Sequence, residues 1–199
     1  GVRSIRGKRG PKSVKLENME MRDKRVLLHI CCAPCSVYTI KELRSEGADL
    51  TGYFYNPNIH PSTEYSKRLE TLKEYAKIVL LPLDVNLEYD LERFLSGTLD
   101  LGRDRCLFCY RMRLEKTFKK AVQDNFDEVT TTLLYSKYQR HEDIKAIGDE
   151  LSTTYGVPFL YRDLRKGWRE GINESKQLNM YRQLYCGCIF SEKERYGGK

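Results

Sequence analysis

The chain has 199 residues, 40% of them hydrophobic and 32% charged, which is enough for one well-packed α/β domain with a small helical addition and cramped for two. Its formal charge is +7, yet residues 1–25 hold nine Lys/Arg against three acids, so the basic balance belongs mostly to the leading segment. No apolar run approaches the roughly 20 residues that cross a bilayer and no secretory h-region is present, so the expected protein is soluble and cytoplasmic, with no membrane partner.

Residues 1–25 mix Arg, Lys, Gly and Ser with almost no apolar periodicity. They read as a flexible basic arm, either one that helps to hold nucleic acid or a processed or vector-derived leader. Residues 26–199 read as a single α/β domain. Val26 to Ile30 is short and apolar, as a strand buried on both faces of a parallel sheet would be. Three thiols follow in His29-Ile30-Cys31-Cys32-Ala33-Pro34-Cys35-Ser36, and Val37, Ile40 and Leu43 then recur at helical spacing until Gly47.

Leu50 to Tyr55 is expected as a second strand, leaving through the loop Asn56 to Pro61. Ser62 or Thr63 can cap the next helix, with Tyr65, Leu69, Leu72 and Ala76 along one face. Ile78 to Leu83 is expected as a third strand, giving the βαβαβ alternation of a doubly wound parallel sheet. A short helix over Leu87 to Leu95 and a loop over Gly97 to Arg105 lead to a helix marked by Leu114, Phe118, Ala121 and Val122. Glu128 to Tyr135 is Thr-rich enough for a fourth strand. Ile144, Ile147, Leu151 and Tyr155 line another helix, and Val157 to Tyr161 makes a fifth strand. The tail from Arg162 is basic, aromatic and cysteine-containing.

The seven cysteines fall in three groups, Cys31-Cys32-x-x-Cys35, Cys106-x-x-Cys109 and Cys186-x-Cys188. In a reducing compartment, metal ligation or redox chemistry is expected of them ahead of structural disulfides. A lone cysteine is commonly a buried core residue, but adjacent Cys31 and Cys32 cannot both face one core along a strand. The first group lies at a strand's carboxyl end and a helix's amino end, where open α/β sheets place their chemistry and where the helix dipole favours thiolates. Cys106 and Cys109 share a helical turn and suit zinc, an iron–sulfur cluster or a redox dithiol. Joined with Cys31 and Cys32 they make four thiolates, the number that closes a zinc site or a [4Fe–4S] cluster. Cys186-Gly187-Cys188 reads as a close dithiol whose disulfide would be readily reduced, with a second ligand pair as the alternative. The first turn lacks a glycine-rich phosphate loop, and Pro34 removes a backbone donor there, which argues against nucleotide hydrolysis.

These three groups, read as His29-Ile30-Cys31-Cys32-Ala33-Pro34-Cys35-Ser36, Cys106-x-x-Cys109-Tyr110 and Tyr185-Cys186-Gly187-Cys188, resemble the QueH family of epoxyqueuosine reductases from about Val26 to Phe190. The resemblance implies a Rossmann-like, adenine-nucleotide α-hydrolase-like fold, helices on both sheet faces and a helical, cysteine-containing C-terminal tail, with residues 26–199 as the catalytic domain. It implies reduction of epoxyqueuosine to queuosine at the tRNA wobble position with a [4Fe–4S] cluster and no cobalamin. The implied cluster ligands are Cys31, Cys32, Cys106 and Cys109, and Cys186 and Cys188 are the implied redox-active disulfide. Cys35 is a further candidate ligand, and an additional mononuclear metal at Cys35 or at Cys186/Cys188 is a further candidate cofactor.

The expected partners are tRNA and an electron donor. Phosphate and base contacts are expected from Arg111, Arg113, Lys137, Arg140, Arg165, Lys166, Trp168 and Arg169. Tyr110, Tyr185 and Asp104 are candidate proton donors to the epoxide oxygen. His29 is read as a hydrogen-bonded strand residue, and no histidine pairing suggests a triad. Two other classes remain open: a zinc-stabilised RNA-binding module and a thiol–disulfide oxidoreductase.

Overall fold

The computed structural model describes residues 24–197. Four parallel strands, β1 (Arg25–His29), β2 (Asp49–Phe54), β3 (Leu83–Val85) and β4 (Glu128–Thr131), form one sheet in the order β3-β2-β1-β4. The chain steps outward from β1 to β3, then returns to place β4 on the other side of β1. A crevice therefore opens between the carboxyl ends of β1 and β4, the switch point at which such sheets bind ligands.

Alternation along β1 splits the core in two. Val26, Leu28 and Ile30 pack with Ile40, Leu43, Leu69 and Leu72, which belong to α1 (Ala33–Ser45) and α2 (Ser62–Ile78). Leu27 and Val129 face the other way, against Leu114, Phe118, Ile144 and Leu151 of α4 (Arg105–Gln123) and α5 (His141–Tyr155). Helices thus cover both faces, and each layer buries the apolar stripe expected of it.

Several boundaries move from their sequence expectation. Ile78 ends α2 instead of opening a strand, because Ile78 and Leu80 are exposed and Leu80 turns the chain at φ 50°. Leu87 is exposed, and the following short helix α3 (Leu91–Ser96) begins only after Asp90, whose carboxylate accepts from the Arg93 N–H at 2.9 Å. The run Glu128 to Tyr135 breaks after Thr131, whose hydroxyl oxygen accepts from the Leu133 N–H at 3.2 Å and starts a 3-10 turn. The fifth strand contracts to a bridge between Phe159 and Val129, since Pro158 has no N–H for a longer ladder.

Of the expected arm, residues 1–23 lie outside the described residues, whereas Arg25 is the first residue of β1. The tail contains α6 (Trp168–Gln177) and α7 (Ile189–Tyr196). Close approach brings α6 to α1: a Cβ on Gly167 would stand 2.2 Å from the Tyr38 ring. Among the described residues no helix is long and apolar enough to cross a membrane.

Candidate functional site

Cys32 is the N-cap of α1, in extended conformation, with Pro34 and Cys35 in the first turn. This reversal folds the first cysteine group back on itself, and the sulfurs of Cys31, Cys32 and Cys35 lie within 4.8 Å of one another. β4 fixes the turn from the side. The Cys31 N–H donates to Thr132 Oγ1 at 3.1 Å, and the Thr132 hydroxyl donates to Cys31 Sγ at 3.3 Å. From the tail, Gln183 Nε2 donates to Cys32 Sγ at 2.8 Å.

Hydrogen bonds from Cys32, Cys35 and Thr132 hold the Cys31 thiol well below its usual range despite burial. The cost falls on its neighbours: burial and then hydrogen bonding to Cys31 push Cys32 up, and hydrogen bonding to Cys31 and Cys32 leads the rise at Cys35. One thiolate is therefore favoured in the triad, and a bound cation would be needed to hold several.

Cys106 and Cys109 enter from the first turns of α4 and are not among the sulfurs of that close triad. They join Cys31 and Cys188 in one apolar cluster. Burial pushes the Cys109 thiol up to about 12 and raises Cys106 as well.

Cys186 and Cys188 sit on a turn whose Gly187 has φ 142°, a backbone state that favours glycine. Its Cβ would stand 3.1 Å from Arg68 Nη1. Arg68, 2% exposed, pairs with Glu64 at 2.7 Å and donates to the carbonyls of Cys186 at 2.9 Å and Tyr185 at 3.2 Å. Tyr181 donates to the other oxygen of Glu64, and the His60 N–H donates to the Gly187 carbonyl at 2.8 Å. Gln139 Nε2 reaches Cys186 Sγ at 3.5 Å.

Cys31, Cys35 and Cys186 line a cavity of about 500 Å³, together with Arg113, Arg182 and Arg195 and without a carboxylate. The expected RNA contacts divide on inspection. Arg113 is buried at 2% exposure, its Nε donating to the Cys109 carbonyl at 3.1 Å, so it belongs to the cavity floor instead of an outer face. Arg111 is held by Glu150, Arg165 by Asp163, Lys166 by Glu42, and Arg140 by Asp104 and Asp143. Lys137 and Trp168 lie together, Nζ 5.4 Å from the ring centre. Arg169 is exposed on α6.

Of the candidate acids, Tyr185 lines the cavity, with its hydroxyl donating to the His60 carbonyl and its pKa pushed up to about 12, chiefly by burial. Tyr110 is buried and donates to Gln139 Oε1 at 2.8 Å, and Asp104 pairs with Arg140. His29 is buried between Thr131 Oγ1 at 2.9 Å and the Tyr55 carbonyl at 3.2 Å, with its pKa lowered to about 4 by burial and then Arg113. It is the strand residue expected.

The sequence reading passed over Gln183, Thr132, Gln139 and Arg68. Arg68 carried a signal: a cation beside an apolar helix stripe, four residues after Glu64. The polar partners of the sulfurs carried none, because tertiary contacts alone bring them in.

The fold and site define a class: a doubly wound α/β protein with cysteines from three separate segments gathered at the carboxyl edge of its parallel sheet. Residues 26–194 match the family described as Epoxyqueuosine reductase QueH. A relative of that name from Dehalococcoides mccartyi is 35% identical, covering 87% of this chain and 95% of the relative. Another of that name from Thermotoga maritima is 38% identical, covering 85% and 91%. The chain belongs to the epoxyqueuosine reductase QueH family, a family of oxidoreductases. Among solved structures, the U34-tRNA thiolase NcsA from Methanococcus maripaludis, described with its [4Fe-4S] cluster, is similar with a TM-score of 0.60 and 13% identity, over 92% of this chain and 70% of that one. A chain from Methanocaldococcus jannaschii described as a "predicted subunit of tRNA methyltransferase" is similar with a TM-score of 0.54 and 13% identity, over 77% and 74%. These two likenesses bear on the fold.

Proposed function

We propose that this protein reduces epoxyqueuosine to queuosine at the wobble position of tRNA. The observation that carries the reading is one cationic cavity at the sheet's switch point lined by Cys31, Cys35 and Cys186, with Cys106 and Cys109 in the apolar cluster that also holds Cys31 and Cys188. Family membership supplies the reaction class.

Turning the epoxide into an alkene consumes two electrons and two protons and releases water. The thiols of Cys186 and Cys188 contain both in going to a disulfide: two sulfhydryl protons leave, one S–S bond forms, and the epoxide oxygen departs as water. An external electron donor then returns the disulfide to two thiols. Cys186 lines the cavity, within reach of Gln139, whose N–H stabilises charge on the sulfur. Tyr185 lines the same cavity, and its high pKa keeps a phenolic proton in place over the working range. Arg113 contributes a permanent cation at the floor, where negative charge on a cleaved C–O bond would collect.

A thiol-only donor set fits an iron–sulfur cluster. The sulfurs of Cys31 and Cys32 lie close together, Cys106 and Cys109 join Cys31 in the same apolar cluster, and Gln183 and Thr132 donate to the sulfurs from outside. In this proposal Cys31, Cys32, Cys106 and Cys109 hold a [4Fe–4S] cluster, which supplies one-electron transfer when bound. Cys35, third member of the close triad, is then the thiol left for a mononuclear metal.

The test is anaerobic purification, quantitative iron, sulfide and zinc analysis, and an assay on epoxyqueuosine-containing tRNA with a chemical reductant. About four irons and four sulfides per chain, with loss of one oxygen from the nucleoside mass, is the expected result. Iron beyond four locates the mononuclear site. Zinc without sulfide and no turnover would overturn the reading in favour of a zinc-stabilised RNA-binding module, and metal-free dithiol exchange would favour a thiol–disulfide oxidoreductase.

A further inference from the structure

A run of aromatic rings leads from the cysteine triad to solvent. Tyr135, 1% exposed, packs in the apolar cluster of Cys32 and Cys35, and Trp168 packs against that cluster. Tyr135 and Trp168 stack with centroids 5.2 Å apart and planes 27° apart. Tyr138 stands edge-on to Trp168 at 5.6 Å and is 76% exposed. All three rings line the cavity that contains Cys31, Cys35 and Cys186.

The backbone is arranged to keep this ladder in place. The Tyr135 hydroxyl donates to the Trp168 carbonyl at 2.9 Å, and a Cβ on Gly171 would stand 2.4 Å from that hydroxyl. Lys137 Nζ lies 5.2 Å from the Tyr138 ring centre and 5.4 Å from that of Trp168. The planes of these two rings are 84° apart, so a flat π-system would stack on one and meet the other edge-on. The cation near both lies where it would enter, and its flexible stem can swing it aside to a phosphate. The charge of the surroundings specifies the ligand further. The cavity is lined by Arg113, Arg182 and Arg195 and by no carboxylate, which suits a flat base carried between anionic phosphates.

We propose that Tyr138 and Trp168 form a stacking site for the nucleobase that itself carries the epoxide-bearing group. This rests on the reading given under Proposed function. In epoxyqueuosine the epoxide ring is joined to the base by a short linker, so the base must lodge close to the thiols that act on the ring. A cavity of about 500 Å³ whose wall runs from Cys186 to Tyr138 has room for both parts. The base is already unpaired in an anticodon loop, so it enters without breaking a pair. Lys137, Arg182 and Arg195 take the flanking phosphates.

Trp168 is the single tryptophan of the chain, which makes the test direct. Full-length, anaerobically purified protein is titrated with two anticodon stem-loop RNAs, one with guanosine at the wobble position and one abasic there. Tryptophan emission reports stacking, and anisotropy of a labelled RNA end reports binding. The expected result is that both RNAs bind, only the guanosine loop changes Trp168 emission, and Tyr138→Ala weakens the guanosine loop by about tenfold while leaving the abasic loop unchanged. An equal emission change with the abasic loop, or none with either loop while anisotropy reports binding, would overturn the stacking site and leave the tRNA reading standing. If neither RNA binds, the tRNA reading fails and the site with it.

Discussion

At the residue scale the proposed function assigns different work to different thiols, and their surroundings differ accordingly. The favoured thiolate at Cys31 is produced by its neighbours' hydrogen bonds, whereas burial keeps Cys109 protonated in the absence of a cation. Cys186 is exposed, whereas Cys31, Cys106 and Cys188 are half-buried and Cys32, Cys35 and Cys109 buried, so Cys186 is the thiol most open to an exogenous reductant. Cys186→Ser and Cys188→Ser should each leave the iron and sulfide content and the visible absorbance unchanged while abolishing turnover; full turnover by either variant would show that the pair does not carry the electrons. The spacing separates the groups by geometry alone, because Cys-Gly-Cys on a turn and Cys-x-x-Cys on a helix present their sulfurs differently. What spacing could not convey was the place of Cys35. Its sulfur meets Cys31 and Cys32 only because Cys32 adopts extended geometry at the N-cap and reverses the chain.

At the element scale the tail is attached to the sheet by α2 instead of by a sheet of its own. Arg68 and Glu64 make a buried ion pair that also ties down the carbonyls of Tyr185 and Cys186. Arg68→Met would leave the Glu64 carboxylate buried without its cation, a loss of about 3–5 kcal/mol, checked by denaturant unfolding. The variant should also show faster proteolysis within residues 178–188 than elsewhere. A second attachment is pH-dependent. His60 Nδ1 accepts the Ile189 N–H at 3.3 Å, which requires an unprotonated Nδ1, and burial lowers the pKa of His60. The unfolded chain takes up this proton near the ordinary value of about 6.5 and the folded chain resists it. The contribution is therefore full above that pH and is lost as pH falls below it. His29, lowered to about 4, acts with the same sign. Unfolding midpoints should drop as pH falls from about 6.5 toward about 4, and His60→Gln should flatten part of that drop. Of these attachments, α7, which begins at Ile189, was not read from spacing, whereas α2 was legible from 3.6-residue periodicity. The two displaced strands were not, since exposed Ile78 and Leu80 look as apolar in sequence as buried residues do, and Pro158 limits the last strand to a bridge.

At the scale of the whole molecule, charge and chemistry are distributed differently along the chain. Residues 1–23 carry seven of the 35 Lys/Arg and three of the 28 acids, while several cations of the described domain are already paired with carboxylates, as at Arg111, Arg165 and Lys166. The cavity itself keeps three arginines facing no carboxylate in its lining. On the proposed function, this distribution predicts two kinds of RNA contact: a sequence-independent one governed by counterion release, and a confined one at the cysteines. Each phosphate neutralised on a single strand contributes about 0.7 to the slope of log affinity against log salt. Removing residues 1–23 should therefore weaken RNA binding at low salt and make the slope shallower by up to about 5, the limit reached if all seven cations engage phosphate. Turnover at saturating tRNA should be unchanged, because the cysteine groups, Arg113 and the aromatic ladder all lie within residues 31–188. Arg182→Gln should do the converse. It removes one cation from the cavity lining, so the slope should change by less than 1 while the apparent KM for epoxyqueuosine tRNA rises. If truncation left the slope untouched, the steering charge would have to reside on the domain, and Arg169 and Lys137 would be the first residues to neutralise.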